Sequence, residues 1–159
     1  MKIGIQVSRV ALTLLFMLFP VIASAEEISK ISYPDTAWIM ISSALVMLML
    51  PGLALFYGGM VRRKNVLSTL MHSFIPLGII TIQWVLFGYS LAFGNDIGHF
   101  IGDLSKVLFI GIDYQALSGT IPEYLFSMFQ LMFAIITVAL ISGGMAERVD
   151  FKAYIIFIF

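Results

Sequence analysis

The sequence predicts an all-α polytopic membrane protein: three complete transmembrane helices and the start of a fourth, preceded by a signal peptide. Three observations carry that prediction. Only 11% of the residues are charged and 60% are hydrophobic, whereas a soluble domain carries about 25% charged residues. The charges are also gathered into short clusters, which leaves three uncharged stretches long enough to cross a bilayer. Finally, the mean hydropathy is +1.03, which suits lipid rather than water as the surrounding solvent.

The first 25 residues read as a secretory signal. Lys2 and Arg9 make a sparse basic start, and Val10 to Ile22 is an apolar run too short to span comfortably. Ala23-Ser24-Ala25 then offers small residues for cleavage, which places Glu26 at the mature start. The competing reading is an uncleaved first helix. Cleavage implies a mature chain that begins outside the cytoplasm.

The mature part, 26–159, divides by its charges. Thr36 to Val61 is uncharged, roughly 39 Å of helix. Pro34 and Asp35 mark its start: proline halts what precedes it, and an aspartate complements the positive helix end. Arg62-Arg63-Lys64 closes it. The next uncharged run, Asn65 to Asn95, has its spanning part at about 70–93. A mixed stretch with scattered Gly and Asp follows, then a third span at about 124–146. A fourth apolar run opens at Ala153 and is seven residues long. Seven residues cannot cross a core of roughly 30 Å, so the expectation is the amino-terminal part of a longer protein.

Lys and Arg counts set the orientation. The first linker holds three and the third holds Arg148 and Lys152. The mature amino terminus has only Lys30, and the second linker only Lys106. The first and third linkers are therefore expected in the cytoplasm and the mature amino terminus outside. Tyr33, Trp38, Tyr57, Trp84 and Tyr89 fall where interfacial aromatic anchors are expected.

Within the spans, Pro51-Gly52 is expected to interrupt the first helix. Ala54 and Gly58, four apart, form a small-residue face that lets another backbone approach. Phe56 stands beside it, as packing or as a pore-lining ring. In the third span Phe126, Phe129 and Phe133 recur at helical spacing, continued by Thr137, with Gln130 nearby. Ring faces attract a cation and ring bulk excludes water, which is what a gate needs. Spacing alone favours a lipid-facing or core aromatic stripe.

Several function classes lack a foothold. The formal net charge is zero, which gives nucleic-acid binding no electrostatic basis. With no cysteine, disulfides and thiolate metal sites are absent, and His72 and His99 have no zinc-ligand spacing. No metal site and no cofactor are expected. Neither a nucleophile–base set nor a nucleotide fingerprint occurs, so an enzyme is not expected. The span interiors carry no Asp, Glu, Lys or Arg, which argues against ion coupling in this portion. His72 lies near the inner end of the second span and reads as interfacial or as touching another helix.

Three blocks resemble the ammonium transporter (Amt/Mep/Rh) family. DTAW at Asp35 to Trp38 with PGLALFYGGMVRRKNVLS at Pro51 to Ser68 is similar to its first span and loop. QWVLFGYSLAFG, Gln83 to Gly94, is similar to the end of its second span. FQLMFAIITVALISGGMAERVDF, Phe129 to Phe151, is similar to its third span and following loop. The resemblance implies an ammonium or ammonia channel in a bacterial inner membrane, built as a homotrimer of eleven-helix subunits. It also implies a cytoplasmic PII signalling protein as a possible partner. Carried over by position, Phe133 belongs to the external site that recruits ammonium and to the lower ring of a stacked pore gate, with Phe129 the other ring. Phe56 falls near the cytoplasmic constriction. The family's Trp, Ser, Asp and paired pore His residues fall beyond Phe159. An alternative reading is an Amt-like ammonium-sensing membrane domain of a signalling protein.

Overall fold

This computed structural model describes residues 31–159; the expected signal peptide, 1–25, and mature start, Glu26, lie outside the described residues. Three long helices, each apolar enough to cross a membrane, make the body of the fold. The first, α1 (Tyr33–Met60), starts three residues before the expected position 36. Pro34 sits in the first turn, where its missing N–H costs nothing. The cap is Ser32, whose hydroxyl accepts from the Asp35 amide at 3.4 Å. Asp35 instead accepts from the Thr120 hydroxyl at 2.6 Å, tying the helix start to the second linker. Pro51 does not interrupt α1, contrary to expectation. A single lost donor leaves the rest of the ladder intact, and lipid offers the backbone no better partner than a helix.

After a 3-10 turn at Arg63–Asn65, α2 (Val66–Gln83) returns antiparallel to α1 and starts earlier than the expected position 70. The second span then passes through a π-helical turn, Trp84–Gly88, into α3 (Tyr89–Phe93). In that turn the Tyr89 amide reaches back five residues to the Trp84 carbonyl.

The linker that follows is ordered by two short antiparallel hairpins. β1 (Asp96–Ile97) pairs with β2 (Ile101–Gly102), Asp96 opposite Gly102. β3 (Leu117–Ser118) pairs with β4 (Ile121–Pro122), Ser118 opposite Ile121. Gly119 opens that second turn at φ 65°, a conformation that side chains resist. Asp103 organises the first hairpin: its carboxylate accepts from the amides of Asn95 and Ser105 and from both their side chains. These bonds, Ser105 foremost, hold the carboxyl down at about 2. The linker is fastened to the bundle where Glu123 accepts from Lys106 Nζ at 2.6 Å and from the Tyr89 hydroxyl at 2.8 Å.

α4 (Glu123–Met145) runs parallel to α1, and α5 (Phe151–Ile158) opens after Asp150, whose side chain caps the Lys152 amide. Their starts precede the expected 124 and 153. α1, α2 and α4 each pack against the other two, and α5 lies on α2. Leu50, Ile80, Leu131, Met132, Ile135, Ile136 and Ala139 form the central apolar contact. Small and polar residues carry the closest approaches, as expected where lipid gives no hydrophobic drive. Ala54 and Gly58 are buried, with Gly58 facing Val66 and Leu70. Ser73 and Ser142 share a buried hydroxyl contact at 3.1 Å, and Trp84 Nε1 donates to Ser127 at 3.1 Å.

The linkers alternate between the two ends of the bundle. Arg62 and Asn65 in the first linker donate to Glu147 in the third, while Ser32 and Thr120 meet at the opposite end. Of the expected interfacial anchors, Tyr33 and Trp38 are exposed. Tyr89 is buried, and Tyr57 and Trp84 hydrogen-bond to α4. Tyr57 and Trp84 thus join helices through their polar atoms.

Candidate functional site

The aromatic residues of α4 divide into two groups. Phe126 leaves the stripe and packs edge-on against Phe93, ring centroids 5.0 Å apart. Phe129 and Phe133 stay together, one turn apart, with centroids at 5.1 Å and ring planes at 80°. They meet edge to face. The quadrupoles explain the preference, since a ring edge is positive and a ring face negative. Phe133 is 41% exposed, a large apolar surface for a helix whose opposite side is core.

α4 starts at the same end as the second linker, so Phe133 lies one turn, about 5–6 Å, deeper than Phe129. Thr137 continues the face and donates its hydroxyl to the Phe133 carbonyl at 2.7 Å. Nothing ionisable lies on this face between Tyr124 and Ala146. The arrangement offers bulk and aromatic surface, with no acid or base for chemistry.

Phe56 lies elsewhere. It is 61% exposed, and its ring neighbour among the described residues is Tyr57 at 5.7 Å. Tyr57 donates to the Leu140 carbonyl at 3.1 Å, which puts this level of α1 about 10 Å below Phe133 along α4. The structure thus unites Phe129 and Phe133 and separates Phe56 from them.

Among the described residues, two of the hollows flank the bundle, and neither is centred on the pair. An apolar one of about 630 Å³ lies between α1, α4 and the second linker, lined by methionines including Met40, Met47, Met128 and Met132. A polar one of about 310 Å³ lies between the first and third linkers. His72 lines it but is itself only 6% exposed, with Nδ1 donating to the Ser68 carbonyl at 2.7 Å. Its ring rests on Phe151 and Tyr154 of α5 at 5.1 and 5.0 Å. The imidazole therefore touches another helix rather than the membrane interface. Glu147, beside the same hollow, is held as a carboxylate by Asn65 and the Arg62 amide, with its ordinary value lowered.

A family model described as the Ammonium Transporter Family matches residues 37–159. The chain belongs to that family. An ammonium transporter of Bacillus subtilis is 54% identical over 127 residues, covering 77% of this chain and 31% of that protein. One from Mycobacterium tuberculosis is 49% identical over 140 residues, covering 77% and 29%. Among solved structures, Mep2 of Saccharomyces cerevisiae matches with a TM-score of 0.71 and 32% identity, over 85% of this chain and 32% of that one. Mep2 of Candida albicans gives 0.71 and 31%, over 81% and 29%. The chain spans about three-tenths of the length of these relatives. With its three apolar spans, this family member is a multi-pass membrane protein.

Sequence reasoning missed the contacts that fix the site's surroundings. Trp84–Ser127, Tyr57–Gly143 and Tyr89–Glu123–Lys106 all join residues far apart in the chain. A local signal existed for His72 and Thr137, each four residues after its carbonyl partner, the spacing at which a side chain reaches back along its own helix.

Proposed function

We propose that this chain is the amino-terminal part of a subunit that conducts ammonium or ammonia across a bacterial inner membrane. Phe133 contacts the incoming cation, and Phe129 and Phe133 together form one side of a hydrophobic gate. The single observation behind this reading is the edge-to-face pair with Phe133 partly uncovered, on the third span of an Ammonium Transporter Family member. A cation gains from an aromatic face, and two rings without polar neighbours exclude water from a narrow passage. Phe56, deeper and exposed, lines the path toward the inner end.

In this reading the Arg62–Glu147 end of the bundle faces the cytoplasm. The excess of Lys and Arg in the first and third linkers supports that orientation. The mature amino terminus is outside, residues 1–25 are removed as a signal, and the complete subunit forms a homotrimer. A PII signalling protein is the partner on the inner face.

Methylammonium uptake by the full-length protein tests the assignment. An aromatic face holds a cation with roughly 0.5–2 kcal/mol, which corresponds to about a two- to thirtyfold change in affinity. Phe133→Ala should weaken apparent affinity by that factor, and Phe133→Leu should lose the ring face while keeping the bulk. Phe129→Ala should change flux more than affinity. Wild-type affinity and flux in both alanine variants would return the pair to a packing role.

A further inference from the structure

The anchor of the second linker has the composition of a binding site with its ligand already attached. Lys106 ends in a primary ammonium group. Its Nζ lies 2.6 Å from Glu123 Oε1 and 5.6 Å from the centroid of the Tyr89 ring. Glu123 is fixed in turn, because the same oxygen accepts the Tyr89 hydroxyl at 2.8 Å. Tyr89 is buried, and the Lys106 and Glu123 side chains are 28% and 13% exposed. The linker backbone is pinned independently of that ammonium group. Ser90 Oγ accepts the Lys106 amide at 3.0 Å and donates to the Asp103 carbonyl at 2.7 Å. A carboxylate and an aromatic face converging on one ammonium nitrogen, in a shielded place, are what recognition of a free amine requires.

We propose that Tyr89 and Glu123 form a second cation site, at the end of the bundle where the second linker lies, which takes ammonium or a primary alkylammonium. In the native chain Lys106 fills it as a tethered occupant. Tethering makes the occupancy intramolecular, at an effective concentration that free amine at ordinary levels does not match. The site is distinct from the Phe129–Phe133 pair: it lies at the start of α4, ahead of Phe129, and uses a carboxylate that the pair lacks. One consequence rests on the function proposed above: a tethered occupant stops this carboxylate from retaining free ammonium away from the conducting path. Amine binding itself does not depend on that reading.

The test is chemical rescue in the full-length protein. Lys106→Ala removes the occupant and leaves Glu123 and Tyr89 in place. Thermal unfolding is followed with increasing methylammonium chloride, against potassium chloride at equal ionic strength. Lys106→Ala should unfold at a lower temperature than wild type. It should regain midpoint with methylammonium, rising with the logarithm of amine concentration once the site is saturated, and gain no such rise from potassium. Lys106→Met, which refills the space with an apolar chain, and Lys106→Ala/Glu123→Gln should both show no amine-specific rise beyond that of wild type. If Lys106→Ala does not fold alone, recovery of folded protein from preparations with methylammonium rather than potassium gives the same answer. An amine-specific rise in Lys106→Ala no larger than that of wild type, or an excess over wild type that survives Glu123→Gln, overturns the proposal. Phe133→Ala should leave the rescue unchanged, so failure of the conduction reading and failure of this site are separable.

Discussion

Gly143→Ala should destabilise the protein by about 1–3 kcal/mol, and the cause is one ring. A Cβ at Gly143 would lie 2.7 Å from Tyr57 Cε1 and Cε2 and closer still to Cζ. Carbon atoms prefer about 3.5–4.0 Å, so the ring must withdraw by roughly 1 Å. Overpacking of this kind costs about 1–3 kcal/mol. The withdrawal also removes the Tyr57 hydroxyl from the Leu140 carbonyl, now 3.1 Å away, at about 1 kcal/mol. Against these stands a gain of about 0.5–1 kcal/mol from replacing a mid-helix glycine with alanine. Denaturant-induced unfolding of the full-length protein in detergent supplies the measurement, with Tyr57→Ala as the second arm of a double-mutant cycle. With the ring gone, Gly143→Ala should cost nothing or stabilise slightly. The same cost in both backgrounds, or no cost in either, would refute the steric argument.

Three further outcomes are expected. Lys64→Cys should resist a membrane-impermeant maleimide in intact spheroplasts, while Phe100→Cys, on a tip 97% exposed, should react; the opposite pattern would reverse the orientation. Trp84→Phe should cost about 1 kcal/mol through loss of the bond to buried Ser127, read as a lower unfolding midpoint, and an unchanged midpoint would argue against that bond. Asp103 has a folded value lowered to about 2 from an ordinary 3.8, so its contribution is complete above about 3.8 and lost as pH falls through about 2. Pepsin cleavage within 96–106 should therefore rise over that interval relative to Asp103→Asn, in which the pH dependence should disappear.

The spans were legible because membrane physics writes them into composition. Thr36 to Val61 and Tyr124 to Ala146 are uncharged, and α1 and α4 end within a residue of those limits. Starts were harder to place. Ser32 and Asp150 cap helices from outside the apolar runs, which a count of charges does not register. Proline misled at Pro51, where a rule drawn from water-exposed helices met a setting without competing solvent. The hairpins of the second linker escaped notice because each strand is two residues long, too short for any periodicity. In the candidate site, the adjacency of Phe129 and Phe133 followed from their spacing, but their perpendicular planes did not. Ring orientation depends on neighbours such as Phe93, which draws Phe126 away from the stripe. The partnership of Tyr89, Lys106 and Glu123 needed the tertiary fold.

The π-helical turn at Trp84–Gly88 has a consequence for how this span tolerates length changes. One surplus residue in a helix shifts the angular phase of everything beyond it by about 100°. Here the surplus is absorbed locally, so Ile80 stays on the core side before the turn while Tyr89 and Ser90 are buried after it. Deleting one residue between 84 and 88 would give a more regular ladder and a worse protein. Either Tyr89 and Ser90 would swing away from Glu123 and Asp103, or Ile80 would leave the apolar contact. In this span the irregularity keeps the two halves in register with different neighbours, and the apparently ideal helix is the defective one.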